Sequence, residues 1–142
     1  MTTYDKDFYG WTQEQAALLR AGRLNDLDIE NLIEEIETMG RSEKRELESR
    51  LTVLLLHLLK WKYQEVRRGR SWELSIDEQR IQFNKTLKEN PGLKPALDEI
   101  LKDAYKLATI QASRETKISK SVFSQECPWM LDQIIDENYF PD

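Results

Sequence analysis

The sequence predicts an all-α fold, a single-domain helical bundle of about five helices, and three observations carry the prediction. The 142 residues include only five glycines and four prolines and are rich in the helix-favouring Leu, Glu, Lys, Gln and Ala. Apolar residues recur at intervals of three and four along most segments. The length is that of one domain, so we expect residues 1–142 to fold around one core without a metal or a disulfide.

The first two helices are predicted from the signals at their ends. After an irregular aromatic arm, Thr12 and Gln15 form a capping-box pattern, and the helix that they begin runs to about Ala21 and stops at Gly22. Asp28 is a suitable N-cap for a second helix. The apolar residues of that helix keep a helical period and are Ile29, Leu32, Ile33, Ile36 and Met39.

A long central helix is predicted over residues ~42–66. Its apolar residues alternate at spacings of four and three, as at a bundle seam, and are Leu47, Leu51, Leu54, Leu58 and Trp61. Additional leucines make its second half apolar nearly all round, which is typical of a buried helix. Because this stripe is in phase with the one before it, the sequence leaves open whether residues 28–66 form one helix or two helices broken at Gly40.

Three shorter helical segments complete the prediction. Ser71 or Ser75 caps a helix whose apolar stripe is Trp72, Ile76, Phe83 and Leu87. The turn at residues 90–92 leads to a helix that begins near Pro95. The stripe of this helix is Leu97, Ile100, Leu101, Ala104, Tyr105, Ala108 and Ala112. A last short helix begins at Cys127 and Pro128 and holds Leu131, Ile134 and Ile135.

The net charge and the cysteine content indicate which binding partners and which cellular compartment to expect. The net charge of −5 gives no overall field that would attract nucleic acid or anionic lipid. One cysteine, Cys127, excludes an intramolecular disulfide and fits a reducing compartment. The N-terminus lacks the pattern of a signal peptide, and the longest apolar run, residues 51–59, is too short to span a bilayer. We therefore expect a soluble cytoplasmic protein that does not enter a membrane.

Several short motifs follow one another in a recognisable order. They are residues 7–11 (DFYGW), 18–23 (LLRAGR), 31–37 (NLIEEIE), 40–43 (GRSE), 57–61 (HLLKW), 71–72 (SW), 76, 79–80 (QR) and 127–129 (CPW). Together they resemble the bacterial domain-of-unknown-function family 29, uncharacterised all-helical proteins of which many are cyanobacterial. The resemblance covers essentially the whole chain. It implies an all-helical bundle of bacterial origin and implies no activity.

A line of charged residues accompanies the predicted core. Glu43, Arg50 and His57 are seven residues apart on one edge of the central helix. Arg80 flanks the stripe of the next helix, and Glu115 stands on the stripe of the helix after that. Since buried charges are rarely left unpaired, we expect Arg80 and Glu115 to have partners of opposite charge. The cluster is interpreted as a structural ion-pair network, with a pocket for an anion or small molecule as the alternative.

Glutamates are grouped on the second helix, at Glu30, Glu34, Glu35 and Glu37. A helical di-iron site needs Glu-x-x-His on two helices, but His57 is the one histidine and Leu54 precedes it by three residues. A zinc site also needs more ligands than His57 and Cys127. We therefore predict no metal and no cofactor, and we interpret the glutamates as a solvated helix face.

A basic surface is predicted at Lys60, Lys62, Arg67, Arg68 and Arg70. Aromatic residues lie among these cations, an arrangement that single-stranded nucleic acid can use for stacking. However, Trp61 and Trp72 belong to predicted core stripes and the chain is acidic, so nucleic acid is a disfavoured partner. The favoured interpretation is a solvated loop that complements acidic segments of the chain.

The sequence shows no phosphate loop, dinucleotide fingerprint or nucleophile elbow, and no base can be assigned to Cys127, so we predict no catalytic residue. The function that remains is a non-catalytic protein-interaction or regulatory module. The alternatives are a binding protein or enzyme that uses the charged cluster, and a nucleic-acid-associated protein. The expected partner is another protein or a second copy of the chain. Aromatic residues at both ends are candidates either for closing the fold or for an interface between copies of the chain: Tyr4, Tyr9, Tyr139 and Phe140.

Overall fold

A computed structural model gives the fold and describes residues 3–142. Five α-helices follow in order: α1 (Phe8–Arg20), α2 (Ile29–Tyr63), α3 (Arg70–Glu89), α4 (Leu97–Thr116) and α5 (Leu131–Ile134). Short 3₁₀ turns lie at Leu24–Asp26, Glu65–Arg67, Pro91–Ala96 and Lys120–Val122. The described residues contain no strand, so the predicted all-α class with a long central helix is confirmed. No helix in this range is long and apolar enough to cross a bilayer.

The chain divides into two compact units, Met1–Arg41 and Ser42–Asp142. The first unit is a helical hairpin of α1 and the beginning of α2. The second unit contains the remainder of α2 together with α3, α4 and α5.

Helix α1 begins five residues earlier than the capping box predicted. Asp7 is its N-cap, and the Asp7 carboxylate accepts a hydrogen bond from the backbone amide of Gly10 at 2.9 Å. Thr12 lies inside the helix, where its hydroxyl donates to a backbone carbonyl one turn earlier. The predicted stop is correct: Gly22 has a φ of 71°, the left-handed conformation that glycine adopts without strain after a helix.

Helix α2 answers the question that the sequence left open, because it is one helix from Ile29 to Tyr63. Gly40 lies inside it and causes no break. The predicted starts of the later helices need correction. Helix α3 begins at Arg70 after Gly69, with no side-chain cap from a serine, and α5 begins at Leu131 rather than at Cys127.

The hydrophobic core of the second unit contains the predicted stripe of α2 from Leu47 onward and the predicted stripes of α3 and α4 except Trp72, with residues from the C-terminal segment. Its fully buried members include Leu47, Leu51, Leu54, Leu55, Leu58, Ile76, Phe83, Ile100, Ala104, Ala108 and Ile134. The first unit has no comparable core. Among its described residues, Trp11 is the one apolar side chain that is buried.

Candidate functional site

The members of the predicted charged cluster take separate partners. Glu43 accepts a hydrogen bond from the Asn90 side chain at 3.2 Å, and Arg50 pairs with Glu46 one turn earlier at 3.8 Å. His57 Nδ1 lies 2.9 Å from a backbone oxygen of its own helix. No hydrogen bond or ion pair in the described part of the chain joins two of the five residues. They therefore do not form one polar network.

Glu115 has the cationic partner that was expected, but at the surface. Its carboxylate lies 3.3 Å from Lys60 Nζ, and its side chain is 46% exposed. The position at the end of α4 explains the difference. The apolar stripe of α4 ends at Ala112, so the next position on that stripe is free of the core.

The expectation that Arg80 pairs with a carboxylate is wrong. Its guanidinium donates its hydrogen bonds to backbone carbonyls. The side chain is fully buried on α3. Its Nε donates to the Ile134 carbonyl and its Nη2 to the Tyr139 carbonyl, both at 2.7 Å, and the Phe140 ring lies 5.4 Å away. Burial lowers the pKa of this guanidinium, an effect that the nearby carboxylate of Asp136 opposes. Arg80 thus fastens the C-terminal segment to α3.

The predicted basic surface is largely engaged within the protein. Lys60 pairs with Glu115 and lies 5.1 Å from the centre of the Trp72 ring. Arg68 donates to the carbonyls of Trp61 and Asp142 at 2.6 and 2.7 Å. Lys62 lies over the ring of the following tyrosine, whereas Arg67 and Arg70 are exposed. Most of the rings and cations that could contact a nucleic acid therefore already contact other groups of the protein.

A groove of about 930 Å³ lies between α4 and the segment that follows it. Its charged lining residues are Lys102, Lys106, Lys120, Asp98, Asp103 and Glu126. The three cations and three carboxylates give the groove no net charge, so its electrostatics favour neither anions nor cations. None of the five residues of the predicted cluster lines it.

Cys127 lines this groove and is expected to react slowly with alkylating agents. Burial raises the pKa of its thiol, and its Sγ lies 3.4 Å from the Trp129 carbonyl. Since the thiolate is the nucleophile, iodoacetamide should modify the folded protein near neutral pH more slowly than the same chain unfolded in concentrated urea. Mass spectrometry over time measures both rates. Equal rates would show that the thiol is neither buried nor perturbed.

Asp28 joins the two helices of the first unit. It is the residue before α2, and its Oδ2 accepts hydrogen bonds from Trp11 Nε1 at 2.9 Å and from Asn31 Nδ2 at 2.8 Å. Its backbone amide donates to the buried side chain of Gln15 at 2.8 Å. The Tyr4 hydroxyl adds a hydrogen bond to Glu35, which raises the pKa of Tyr4 to about 12. These hydrogen bonds connect α1 and the residues before it to α2, in a hairpin with little buried apolar surface.

The hairpin should lose stability in acid through Asp28. Hydrogen bonds from Asn31 and Trp11 lower the pKa of Asp28, so its stabilising effect is complete above the pKa of the unfolded chain and is lost as pH falls through the folded value. Urea midpoints of wild type and Asp28→Asn, compared between about pH 7 and pH 2, measure this effect. We expect the difference between the two proteins to shrink towards low pH. A constant difference would contradict the assignment.

The first part of α2 carries an apolar surface that nothing in the described chain covers. Four large side chains follow one another at spacings of four, three and three residues, and we name them the open face: Ile29, Ile33, Ile36 and Met39. Their exposed fractions are 52%, 50%, 66% and 68%. The spacing places them along one side of the helix, so they form a continuous strip.

Carboxylates border this strip on one side. Glu30, Glu34 and Glu37 follow the same helical spacing beside the open face, and we name them the acidic edge. Arg41 lies one turn beyond and pairs with Glu34 at 3.4 Å and with Glu37 at 3.8 Å. Residues 1–41 contain nine acidic and four basic residues, a net charge of −5, and residues 42–142 contain seventeen of each. The negative charge of the protein is therefore concentrated in the unit that carries the open face.

Sequence reasoning identified these residues but did not establish whether the apolar ones are buried or exposed. The helical period of Ile29, Ile33 and Ile36 is the same whether the stripe faces a core or a solvent-exposed surface. A usable signal was the composition of the segment, because residues 28–41 combine this stripe with five carboxylates and one arginine. Of the terminal aromatic residues, Tyr4 and Phe140 pack against other rings of the chain, which fits the alternative that they close the fold, whereas Tyr9 is 74% exposed.

Comparison with known proteins assigns a family without an activity. No curated protein and no solved structure matches the chain. The family described as Domain of unknown function DUF29 matches residues 3–140, nearly the whole chain. The protein therefore belongs to the DUF29 family.

Proposed function

We propose that this protein is a non-catalytic interaction module and that the open face of α2 is the surface with which it binds another protein. The observation that supports the proposal is the row of four large apolar side chains, each at least half exposed, on a hairpin with one buried apolar side chain. Contiguous exposed apolar surface of this kind marks interaction sites, whereas single exposed apolar residues are ordinary.

The distribution of exposed apolar residues favours this surface over others. Eight of the fifteen large apolar side chains that are exposed in the described chain lie within residues 3–41. The other seven are spread over α3, α4 and the connecting segments of the second unit, mostly singly or as pairs. An interface needs a cluster, and the open face is the densest cluster on one helix.

The charge around the open face favours a protein over nucleic acid or an anionic membrane. Both of these would place phosphates against the acidic edge, and like charges at such distances repel. Covering the exposed half of each of the four side chains would contribute about 1 kcal/mol apiece. This is enough for a specific but modest affinity once the cost of association is subtracted.

The setting that we propose is the bacterial cytoplasm, with residues 1–142 acting as one functional domain. The single cysteine and the resemblance to bacterial proteins of the same family support this setting.

A photo-crosslinking experiment in the native cells tests the proposal. A photoreactive phenylalanine analogue replaces Ile36 in the full chain, and the matched control carries it at Ile81 of α3, which is 58% exposed against 66% for Ile36. We expect a discrete crosslinked protein with the probe at position 36 and none with the probe at position 81. No crosslink at position 36, or the same products at both positions, would overturn the proposal.

A further inference from the structure

We propose that the partner presents a basic amphipathic α-helix, which lies along the open face of α2 with its cations against the acidic edge. This inference rests on the proposed function and specifies the chemistry of the partner.

The geometry of the open face calls for a helix. Its residues are spaced four, three and three apart, so they form a ridge along one side of α2. A second amphipathic helix with anchors at the same spacing fits such a ridge along its whole length. The hairpin of α1 and α2 has Trp11 as its one buried apolar side chain, so a third helix would supply the core that the described unit lacks.

The acidic edge selects cations on that helix. Glu30 has no ion-pair partner within the described residues, and Glu34 and Glu37 share Arg41. The edge therefore keeps an excess of negative charge beside Ile33, where the flank of a docked helix would lie. Lysine or arginine at three- or four-residue spacing on that flank would pair with these carboxylates, and acidic residues there would be repelled.

The same charges argue against a second copy of the chain as the occupant. Each copy would bring another net charge of −5 within residues 1–41. Arg41 is the one cation on the edge in this unit, and it is already placed between Glu34 and Glu37. Self-association through the open face would thus oppose surfaces of like charge without new cations to pair them.

Selection from a helix library tests the inference without assuming a partner sequence. Each displayed helix keeps leucine anchors at heptad spacing, and its flanking positions vary among Lys, Gln and Glu. The full-length protein is the bait, and binders are counter-selected against the double variant Ile33→Ser/Ile36→Ser. We expect lysine to be enriched on the flank of the recovered helices. Recovery of face-dependent helices without lysine enrichment, or with enriched glutamate, would overturn the inference and leave the proposed function intact.

Binding of one recovered helix, as a synthetic peptide, provides the quantitative test. Substituting Glu30, Glu34 and Glu37 together by Gln should weaken its binding about tenfold at low salt and remove most of its salt dependence. The matched control replaces Glu73, Glu78 and Glu89 of α3, which are exposed and form no ion pair within residues 3–142, and it should leave the affinity unchanged. Equal effects of the two triple variants would contradict the role of the acidic edge.

The two proposals fail in different ways. If position 36 gives no crosslink, the open face is not a binding surface and both proposals fall. If position 36 crosslinks but no recovered helix distinguishes wild type from Ile33→Ser/Ile36→Ser, the inference about the partner alone is wrong. If position 36 crosslinks to a second copy of the chain, or to a protein segment that is not helical and basic, the inference about the partner alone is wrong. Circular dichroism of each variant verifies that it remains helical.

Discussion

Replacing Arg80 by alanine is expected to lower the free energy of unfolding by about 3–5 kcal/mol. The substitution removes two charged hydrogen bonds, to the carbonyls of Ile134 and Tyr139. It leaves a cavity at a fully buried position and takes the cation away from the Phe140 ring. Urea denaturation followed by circular dichroism measures the change.

Two further variants separate the cost of the lost hydrogen bonds from the cost of the cavity and provide a surface control. Arg80→Met keeps most of the volume but donates no hydrogen bonds, so its cost reports the carbonyls left without donors, about 1–3 kcal/mol each. Arg114→Ala is the matched control, because Arg114 is exposed on α4, and it should change stability by less than about 0.5 kcal/mol. If Arg80→Ala and Arg114→Ala had similar effects, Arg80 would not fasten the C-terminal segment.

Arg80 also shows where sequence reasoning reaches its limit. Its place beside the stripe of α3 indicated burial, and burial indicated a partner. The sequence suggested a carboxylate because opposite charge is the commonest solution. The actual acceptors are main-chain carbonyls of a segment more than fifty residues away, and every residue carries such a carbonyl. No pattern of side chains could have identified them.

The helices themselves were predictable because local rules determine them. The leucine stripe of α2 and the apolar stripes of α3 and α4 form the core as their periods indicated, except that Trp72 of α3 is only partly buried and lies outside it. The errors lie at helix ends, where Asp7 caps α1 in place of Thr12 and Gly69 precedes α3. Several residues near a helix end can each act as the N-cap, and they stabilise the helix by similar amounts, so the sequence does not determine which one is used.

The candidate site was predictable in its residues but not in its exposure. Ile33 and Leu47 belong to in-phase stripes on the same helix, yet Ile33 is 50% exposed and Leu47 is fully buried. The difference depends on whether another element covers each part of α2, and that is a property of the fold. The sequence predicts a solvated face for the glutamates near Ile33, and solvated glutamates are equally compatible with the flank of a binding surface.

Two alanine substitutions on α2 are expected to have very different effects on the free energy of unfolding, because one lies in the core and the other lies on the open face. Leu54→Ala removes a fully buried side chain from the core of the second unit and should cost about 2–5 kcal/mol. Ile33→Ala removes a half-exposed side chain and introduces a better helix former, so the two effects nearly cancel, to within about 0.5 kcal/mol. Urea midpoints of the two variants give the comparison.

The contrast matters because a large apolar residue that adds little to stability is one that folding alone does not require. If Ile33→Ala leaves stability unchanged while it weakens the binding of a helix recovered on the open face, the side chain acts in recognition. If Ile33→Ala costs as much as Leu54→Ala, Ile33 is buried in solution and the open face is part of a core. In that case the surface on which both proposals depend does not exist.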